Sequence, residues 1–430
     1  MRILFIHQNC PGQYKHLARH FGADPKNQVI FITQPGKPQI PGVTQVVYKP
    51  KREPTPDTHF YIRNLESGVL LGQAVARVSM ELRNKGFVPD VICAHPSWGE
   101  SLYIKDVYPA VPLLNFCEFY YRAVGADVGF DPPRPVTLED RCRVRTRNSI
   151  HLLGLEACDA GMAPTQWQRS QFPKEFLHKI VTIHDGIDSD AARPNPDAEL
   201  RLPNGHTLTR RDEVVTYVAR NLEPYRGFPT LMRAVAESCR RRPNCHYIII
   251  GGDGVSYGRP LPHDQTYRGK MLSEVTIDEK RVHFLGKVPY DHFINVLQVS
   301  SVHVYLTYPF VLSWSMLEAM SAGCLVIGSD TAPVTEVIQD GRNGLLADFF
   351  SHERFADRID EVFAHKDQMA DIRRRARDTI LDRYELRNCL KSQVRLLEDL
   401  IAGHHRTNGQ PKVPQAQVRG PTKRPKPRRH

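Results

Sequence analysis

Two arginines six residues apart, Arg220 and Arg226, stand in the segment VARNLEPYRGFPTLMRAV (218–235), which reads as a strand end, a turn and the start of a helix. Guanidinium groups on such a loop can converge on an anion, and their planar fork suits phosphate. Further along, YPFVLSWSMLEAMSAGCLVIGS (308–329) reads as a strand end, a turn, a helix opening near Leu312 and Ser313, and a buried strand. The free N–H groups and positive end of that helix would also favour phosphate. Glu318 lies inside it among Leu317, Ala319 and Met320, an apolar setting in which a carboxylate needs a specific partner. Ile250-Gly251-Gly252-Asp253-Gly254 is a strand followed by a glycine turn, a common arrangement on its own. In the first half of the chain, His95 ends a buried strand in DVICAHPSWGES (90–101), Asn9-Cys10-Pro11-Gly12-Gln13 closes the first strand, and Glu118 in NFCEFYYR ends another. A lone strand-end histidine is more often structural. Glu118 offers a general base or a hydroxyl contact, or an ion pair with Arg122. The arginines at 141, 143, 145 and 147 spread round a helix and read as solvated.

Taken together, these segments resemble the retaining family-4 glycosyltransferases of the GT-B architecture. VARNLEPYRG is similar to that family's Gly-Arg-Leu-x-x-x-Lys-Gly signature, with Ala219 at the glycine and Arg226 at the lysine. The family's Glu-x7-Glu element is matched only at its second glutamate, Glu318. Phe310 stands where the first would be, and Ser313 occupies a position that is usually glycine. The resemblance implies transfer of a sugar, with retained configuration, from a UDP- or GDP-sugar to a hydroxyl acceptor, lipid-linked or glycan, in polysaccharide, lipopolysaccharide or glycoconjugate assembly. It implies neither a cofactor nor a metal. By the same resemblance Arg220 and Arg226 hold the donor diphosphate, Glu318 accepts hydrogen bonds from the ribose hydroxyls, and His95 faces the donor sugar. Leu312, Ser313 and Trp314 open the helix against the donor, Gly12 and Gly252 border its phosphates and nucleotide, and the 284–288 loop, with Val288, meets the base. Gln13, Glu118 and Tyr120 fall on the acceptor side. Phe310 cannot accept a hydrogen bond, so two alternatives stay open: a catalytically silent nucleotide-sugar-binding protein, and a GT-B sugar epimerase.

The elements that must position these residues are legible as a pattern. Short apolar runs alternate with helical stretches, which predicts an α/β protein with parallel sheets. Residues 2–7, 28–33, 90–94, 112–116 and 158–163 read as strands, with long helices over 59–83 and 138–155. A second series follows the Pro- and Asn-rich stretch 193–204, with strands at 214–219, 246–250, 282–285, 302–306 and 325–328. The expected organisation is GT-B: a Rossmann-like acceptor-side domain (1–190), a linker (191–212), a Rossmann-like nucleotide-sugar domain (213–385), a closing helix (386–402) and a disordered basic tail (403–430). Two such sheets in tandem put a ligand cleft beyond the carboxyl ends of their strands. No Gly-x-Gly-x-x-Gly follows the first strand and no Gly-x4-Gly-Lys-Ser/Thr occurs, which argues against a dehydrogenase and a P-loop NTPase.

Composition narrows the class further. At 430 residues, 41% hydrophobic and 24% charged, the chain has the make-up of a two-domain globular protein. No apolar run approaches the ~20 residues of a membrane helix, and MRILFIHQNC reads as a first strand rather than a leader. The nine cysteines are scattered without a Cys-x2-Cys pair, which suggests small core residues in a reducing, cytoplasmic setting. The net charge is +11, yet from His404 onward there are eight Lys or Arg and no acid, so that removing those eight leaves +3 on the remainder. The tail reads either as an inert solvated end or as a contact with an anionic membrane at its inner face. Nucleic acid is disfavoured, because no platform of interleaved aromatic and basic residues is present.

Overall fold

The computed structural model describes residues 1–131, 135–202 and 205–408, with side chains through Gly403. The basic tail expected over 403–430 lies, beyond Asn408, outside the described residues. The strands are β1 (Arg2–Ile6), β2 (Gln28–Thr33), β3 (Val43–Val47), β4 (Val91–Ala94), β5 (Leu113–Phe116), β6 (Ala160–Ala163), β7 (Ile180–Thr182), β8 (Glu199–Arg201), β9 (Thr207–Thr209), β10 (Val214–Asn221), β11 (His246–Gly252), β12 (Val282–Gly286), β13 (Val302–Tyr305), β14 (Leu325–Ser329) and β15 (Leu345–Ala347). The helices are α1 (Lys15–Gly22), α2 (Arg63–Asn84), α3 (Ile104–Val107), α4 (Leu138–Arg147), α5 (Ser149–Ala157), α6 (Gln166–Gln171), α7 (Phe228–Arg241), α8 (Tyr267–Glu274), α9 (Tyr290–Val299), α10 (Trp314–Ser321), α11 (Ala332–Thr335), α12 (His352–Ala364), α13 (Lys366–Arg383) and α14 (Leu386–Asn408).

Two parallel sheets result, ordered β3-β2-β1-β4-β5-β6-β7 and β12-β11-β10-β13-β14-β15. Helices cover both faces of each. The central strands are therefore buried on both sides and read as continuous apolar runs rather than alternating ones. Ile3 and Phe5 face one core while Leu4 and Ile6 face another, and the second sheet divides its residues in the same way. This is a GT-B arrangement of two Rossmann-like domains.

Some boundaries differ from the sequence pattern for physical reasons. The helix expected over 138–155 is two helices meeting at Asn148, whose side chain accepts from the Tyr121 N–H and donates to the Tyr121 carbonyl. Residues 191–212 carry the antiparallel hairpin β8–β9, whose Leu200 and Leu208 are buried in the second domain's core. The last helix runs to Asn408 and returns to the first domain, where Leu390 and Val394 pack beside Ile3 and Phe5 and Leu397 is itself buried. The His184-Asp185-Gly186-Ile187-Asp188 turn seats the start of that helix. A Cβ on Gly186, at φ +94°, would fall 2.8 Å from the Leu386 Cα. Among the described residues no helix is long and apolar enough to cross a membrane.

Candidate functional site

In an open parallel sheet, ligands gather where the strand order reverses, outside the carboxyl ends. The reversal lies between β1 and β4 in the first sheet and between β10 and β13 in the second. His7 and His95 follow the first pair of strands. The Arg220–Arg226 loop and the 306–313 loop follow the second. Both reversals border one cleft of about 670 Å³, whose wall includes Glu118, Tyr121, Arg147, Arg220, Tyr257 and Phe310.

On the first-domain side a relay of polar groups crosses the strand ends. The Asn9 N–H donates to His7 Nδ1 at 2.8 Å, which leaves the His7 proton on Nε2, 2.7 Å from Gln13 Oε1. Gln13 Nε2 then donates to Glu118 Oε1 at 2.7 Å. Burial, with His95 adding to it, pushes the His7 pKa down to about 3, so that His7 is neutral in this relay. Gly12 closes over the ring: at φ +50° its Cβ would lie 2.7 Å from His7 Cε1, so no side chain fits there. His95 is 0% exposed, stacked on Trp98 and Phe116, and neither ring nitrogen has a hydrogen-bond partner among the described residues. Its Nε2 is 3.6 Å from Glu118 Oε2. Burial works against charge on Glu118, but contacts with His95 and Gln13 outweigh it and hold the carboxyl below its ordinary range. Arg122 does not pair with Glu118; its guanidinium donates to the carbonyls of Gln171 and Ser170.

The second-domain side separates the two arginines. Arg220 is exposed on the cleft wall. Arg226 is 7% exposed, and one of its terminal nitrogens donates to Tyr305 Oη (3.1 Å), Thr307 Oγ1 (2.7 Å) and the Val311 carbonyl (3.0 Å). Among the described residues no carboxylate lies within ion-pair distance of it. Tyr305 Oη also accepts from the Ser313 N–H at 2.8 Å, which ties this guanidinium to the start of α10. Ser313 is the N-cap there, its hydroxyl accepting from the Ser315 N–H. The helix begins at Trp314, a residue later than the sequence suggests, because Leu312 is drawn into the core beside Met316. Trp314 Nε1 donates to Asp185 Oδ2 of the 184–188 turn at 2.8 Å. Glu318 accepts from Tyr290 Oη at 2.9 Å, and Lys15 of the first domain lies 5.0 Å from the Tyr290 ring centroid. Burial raises the Glu318 pKa, and Tyr290 and Lys15 oppose the rise. Gly252 ends β11 where a Cβ would meet Lys287 Cε at 2.6 Å. Val288 is half-buried against the second core, so its side chain, like that of Leu312, belongs to the scaffold.

Several cleft residues escape the sequence reading. Tyr121, not Tyr120, faces the cleft; Tyr120 packs against Phe172 and lines a separate depression with Arg141 and Arg145. Arg147 is not merely solvated, since its guanidinium lies 3.7 Å from the Tyr121 ring centroid. Tyr257 reaches the cleft because buried Glu223 accepts from the Ser256, Tyr257 and Gly258 N–H groups and fixes that turn. An extended YY pair at 120–121 signals that one ring faces the cleft, but not which one.

Phe310 is buried where the two domains meet. Its ring centroid lies 4.6 Å from that of Phe119, 5.2 Å from Tyr257 and 5.8 Å from Tyr225, and its carbonyl accepts from Trp167 Nε1 at 3.0 Å. Nearby, Tyr225 Oη donates to Asp127 Oδ2 at 2.8 Å, and Glu336 accepts from the N–H groups of Gln166 and Trp167 at the start of α6. Among the described residues no group of three or more His, Cys, Asp or Glu is placed to hold a metal ion.

Each domain matches a known family. Residues 25–192 match "Glycosyl transferase family 4 group" and residues 202–379 match "Glycosyl transferases group 1". The chain has the GT-B fold and is similar, domain by domain, to these glycosyltransferase families. It is similar to the D-inositol 3-phosphate glycosyltransferase of Nocardia farcinica, 26% identical over 194 residues that make up 44% of this chain and 41% of that protein. It is also similar to the GDP-mannose-dependent alpha-(1-6)-phosphatidylinositol monomannoside mannosyltransferase of Mycobacterium tuberculosis, 26% identical over 220 residues, 47% of this chain and 52% of that one. The chain spans about half the length of these relatives. Among solved structures, the sucrose-phosphate synthase of Thermosynechococcus elongatus superposes with a TM-score of 0.71 at 17% identity, covering 94% of this chain and 100% of that one. Anabaena Alr3699/HepE in complex with UDP-glucose superposes with a TM-score of 0.66 at 17% identity, covering 93% and 100%. At that identity the likeness is one of fold.

Proposed function

We propose that this chain transfers a sugar from a UDP- or GDP-linked donor to a hydroxyl acceptor with retention of configuration. The observation that carries this reading is Arg226, a buried cation with three neutral acceptors and, among the described residues, no carboxylate within ion-pair distance, tied through Tyr305 to the N-terminus of α10. A buried charge without a counter-ion is costly unless an anion completes it. A diphosphate between Arg226, Arg220 and the first amides of α10 supplies that anion. In the transfer, the same groups stabilise the departing diphosphate, which is the largest charge change of the reaction. Glu318 takes the ribose hydroxyls, and Gly252 leaves room for the nucleotide beside β11. On the first-domain side Gln13 and His95 stand behind Glu118, which lines the cleft with Tyr121 in the place expected of Tyr120. The related enzymes named for inositol phosphate and phosphatidylinositol mannoside support a polar acceptor hydroxyl. We place the reaction at the cytoplasmic face of a membrane, met through the basic residues beyond His404, each contributing ~1 kcal/mol near anionic lipid.

The test is to incubate the purified chain with panels of UDP- and GDP-sugars, with and without hydroxyl acceptors. Release of nucleoside diphosphate that depends on acceptor is the expected result. Binding without turnover would favour a silent relative, and interconversion of UDP-sugars without acceptor an epimerase. Failure to bind any nucleoside diphosphate would refute the proposal.

A further inference from the structure

We propose that Glu118 is a carboxylate that binds a hydroxyl of the donor sugar. The inference rests on the nucleotide-sugar reading above and adds a residue from the opposite wall of the cleft. Phe310 is committed to the aromatic contacts between the domains, and its nearest ring partner, at 4.6 Å between centroids, is Phe119, the residue next to Glu118. Glu118 therefore stands beside the position where the carboxylate is missing, and both residues line the same cleft with Arg220.

The geometry around Glu118 is that of a group held for a ligand. One oxygen is fixed by Gln13, itself fixed by His7. The other, Oε2, faces His95 Nε2 at 3.6 Å, too far for a hydrogen bond. Both ring nitrogens of His95 are buried and make no hydrogen bond among the described residues, so Oε2 and not the ring is the group open to a ligand. A hydroxyl reaching Oε2 from the cleft donates to it and supplies the hydrogen bond that His95, at that distance, does not. The side chain of Glu118 is 25% exposed, open enough to be reached from the cleft. Glu53 also lines the cleft, but it is exposed and lacks such a mount.

The experiment compares wild type with Glu118→Gln, which keeps the shape and an oxygen for Gln13 but removes the charge. Calorimetric affinities are measured for UDP and GDP alone and for the matching nucleotide sugars, alongside steady-state kinetics. A hydrogen bond to an ionised carboxylate predicts that nucleotide-sugar affinity falls about 10- to 100-fold while nucleotide affinity stays within about 2-fold. Glu118→Asp, which keeps the charge on a shorter side chain, should retain more nucleotide-sugar affinity than Glu118→Gln, a ranking that a merely structural role would not produce. Unchanged nucleotide-sugar affinity in Glu118→Gln overturns the proposal. So does a rise confined to the acceptor KM, which would leave the transferase reading intact. If the wild type binds neither nucleotide, the underlying reading fails instead.

Discussion

Replacing Arg226 by alanine should cost nucleoside-diphosphate affinity far more than replacing Arg220, although the two residues look equivalent in the chain. The difference follows from burial. A unit charge 4 Å from a phosphate is worth about 4 kcal/mol at an effective dielectric of ~20 and about 1 kcal/mol in bulk water. Arg226 is 7% exposed and fits the first case, whereas Arg220 is exposed and fits the second. The expected losses are therefore about 10³-fold for Arg226→Ala and about 5-fold for Arg220→Ala. Arg226→Lys keeps the charge but not the fork, so it should fall between them. Thermal shift with UDP and GDP reads this directly. At a ligand concentration of 100 Kd the wild type gains about 2.7 kcal/mol of stability, and a 10³-fold loss of affinity reduces that gain to almost nothing. The unliganded melting point should move much less. Alanine removes three hydrogen bonds, but it also removes a desolvated charge, and the two effects oppose each other. An equal or larger loss from Arg220→Ala, or an undiminished ligand shift in Arg226→Ala, would refute the reasoning.

Glu318→Gln should raise the donor KM about 10-fold with little change in kcat, since a ribose contact acts equally on ground and transition states; a fall in kcat alone would contradict that role. Asp185, whose pKa burial pushes up to about 7 from an ordinary 3.8, favours the folded state while protonated. Its contribution is complete below pH ~4 and is lost as the pH rises to 7, about 4 kcal/mol at most. The melting point of Asp185→Asn should accordingly gain on wild type across that interval, and parallel curves would show the shift to be wrong. Glu336→Ala leaves the N–H groups of Gln166 and Trp167 without their acceptor. It should lower stability by about 1 kcal/mol and loosen the two domains, read as faster proteolysis between them in the absence of donor.

The scaffold was legible because its central strands are buried on both faces: Ile3 to Ile6, Ile92 to Ala94 and Tyr247 to Ile250 are apolar runs in any context. The edges were not. VTQVV of β3 alternates weakly, β7 has three residues, and the β8–β9 hairpin hides in a Pro- and Asn-rich stretch because only Leu200, Leu202 and Leu208 turn inward. At the candidate site, residue types suggest phosphate chemistry at positions 220, 226 and 313. Their environments arose from partners far away in the chain. Arg226 is buried by Tyr305 and Thr307, about eighty residues later, and no local pattern distinguishes it from Arg220. Tyr121, Arg147 and Tyr257 came to the cleft through Asn148 and Glu223, whose side chains fix turns rather than touch a ligand.

The departure at position 310 acquires a physical meaning from the same contacts. A carboxylate there would lie among the rings of Phe119, Tyr225 and Tyr257, and its desolvation would oppose the approach of the domains. A phenyl ring turns that position into a favourable contact between them, joined by the Trp167, Tyr225 and Glu336 hydrogen bonds on the same side. If the cleft takes a nucleotide sugar, its polar contacts on this side come from the first domain, where Glu118 is mounted on Gln13 and His7. Closure and sugar recognition become coupled through neighbouring residues, Phe119 holding Phe310 and Glu118 facing the cleft. A substitution at 310 should consequently change both how tightly the domains meet and how the sugar is held.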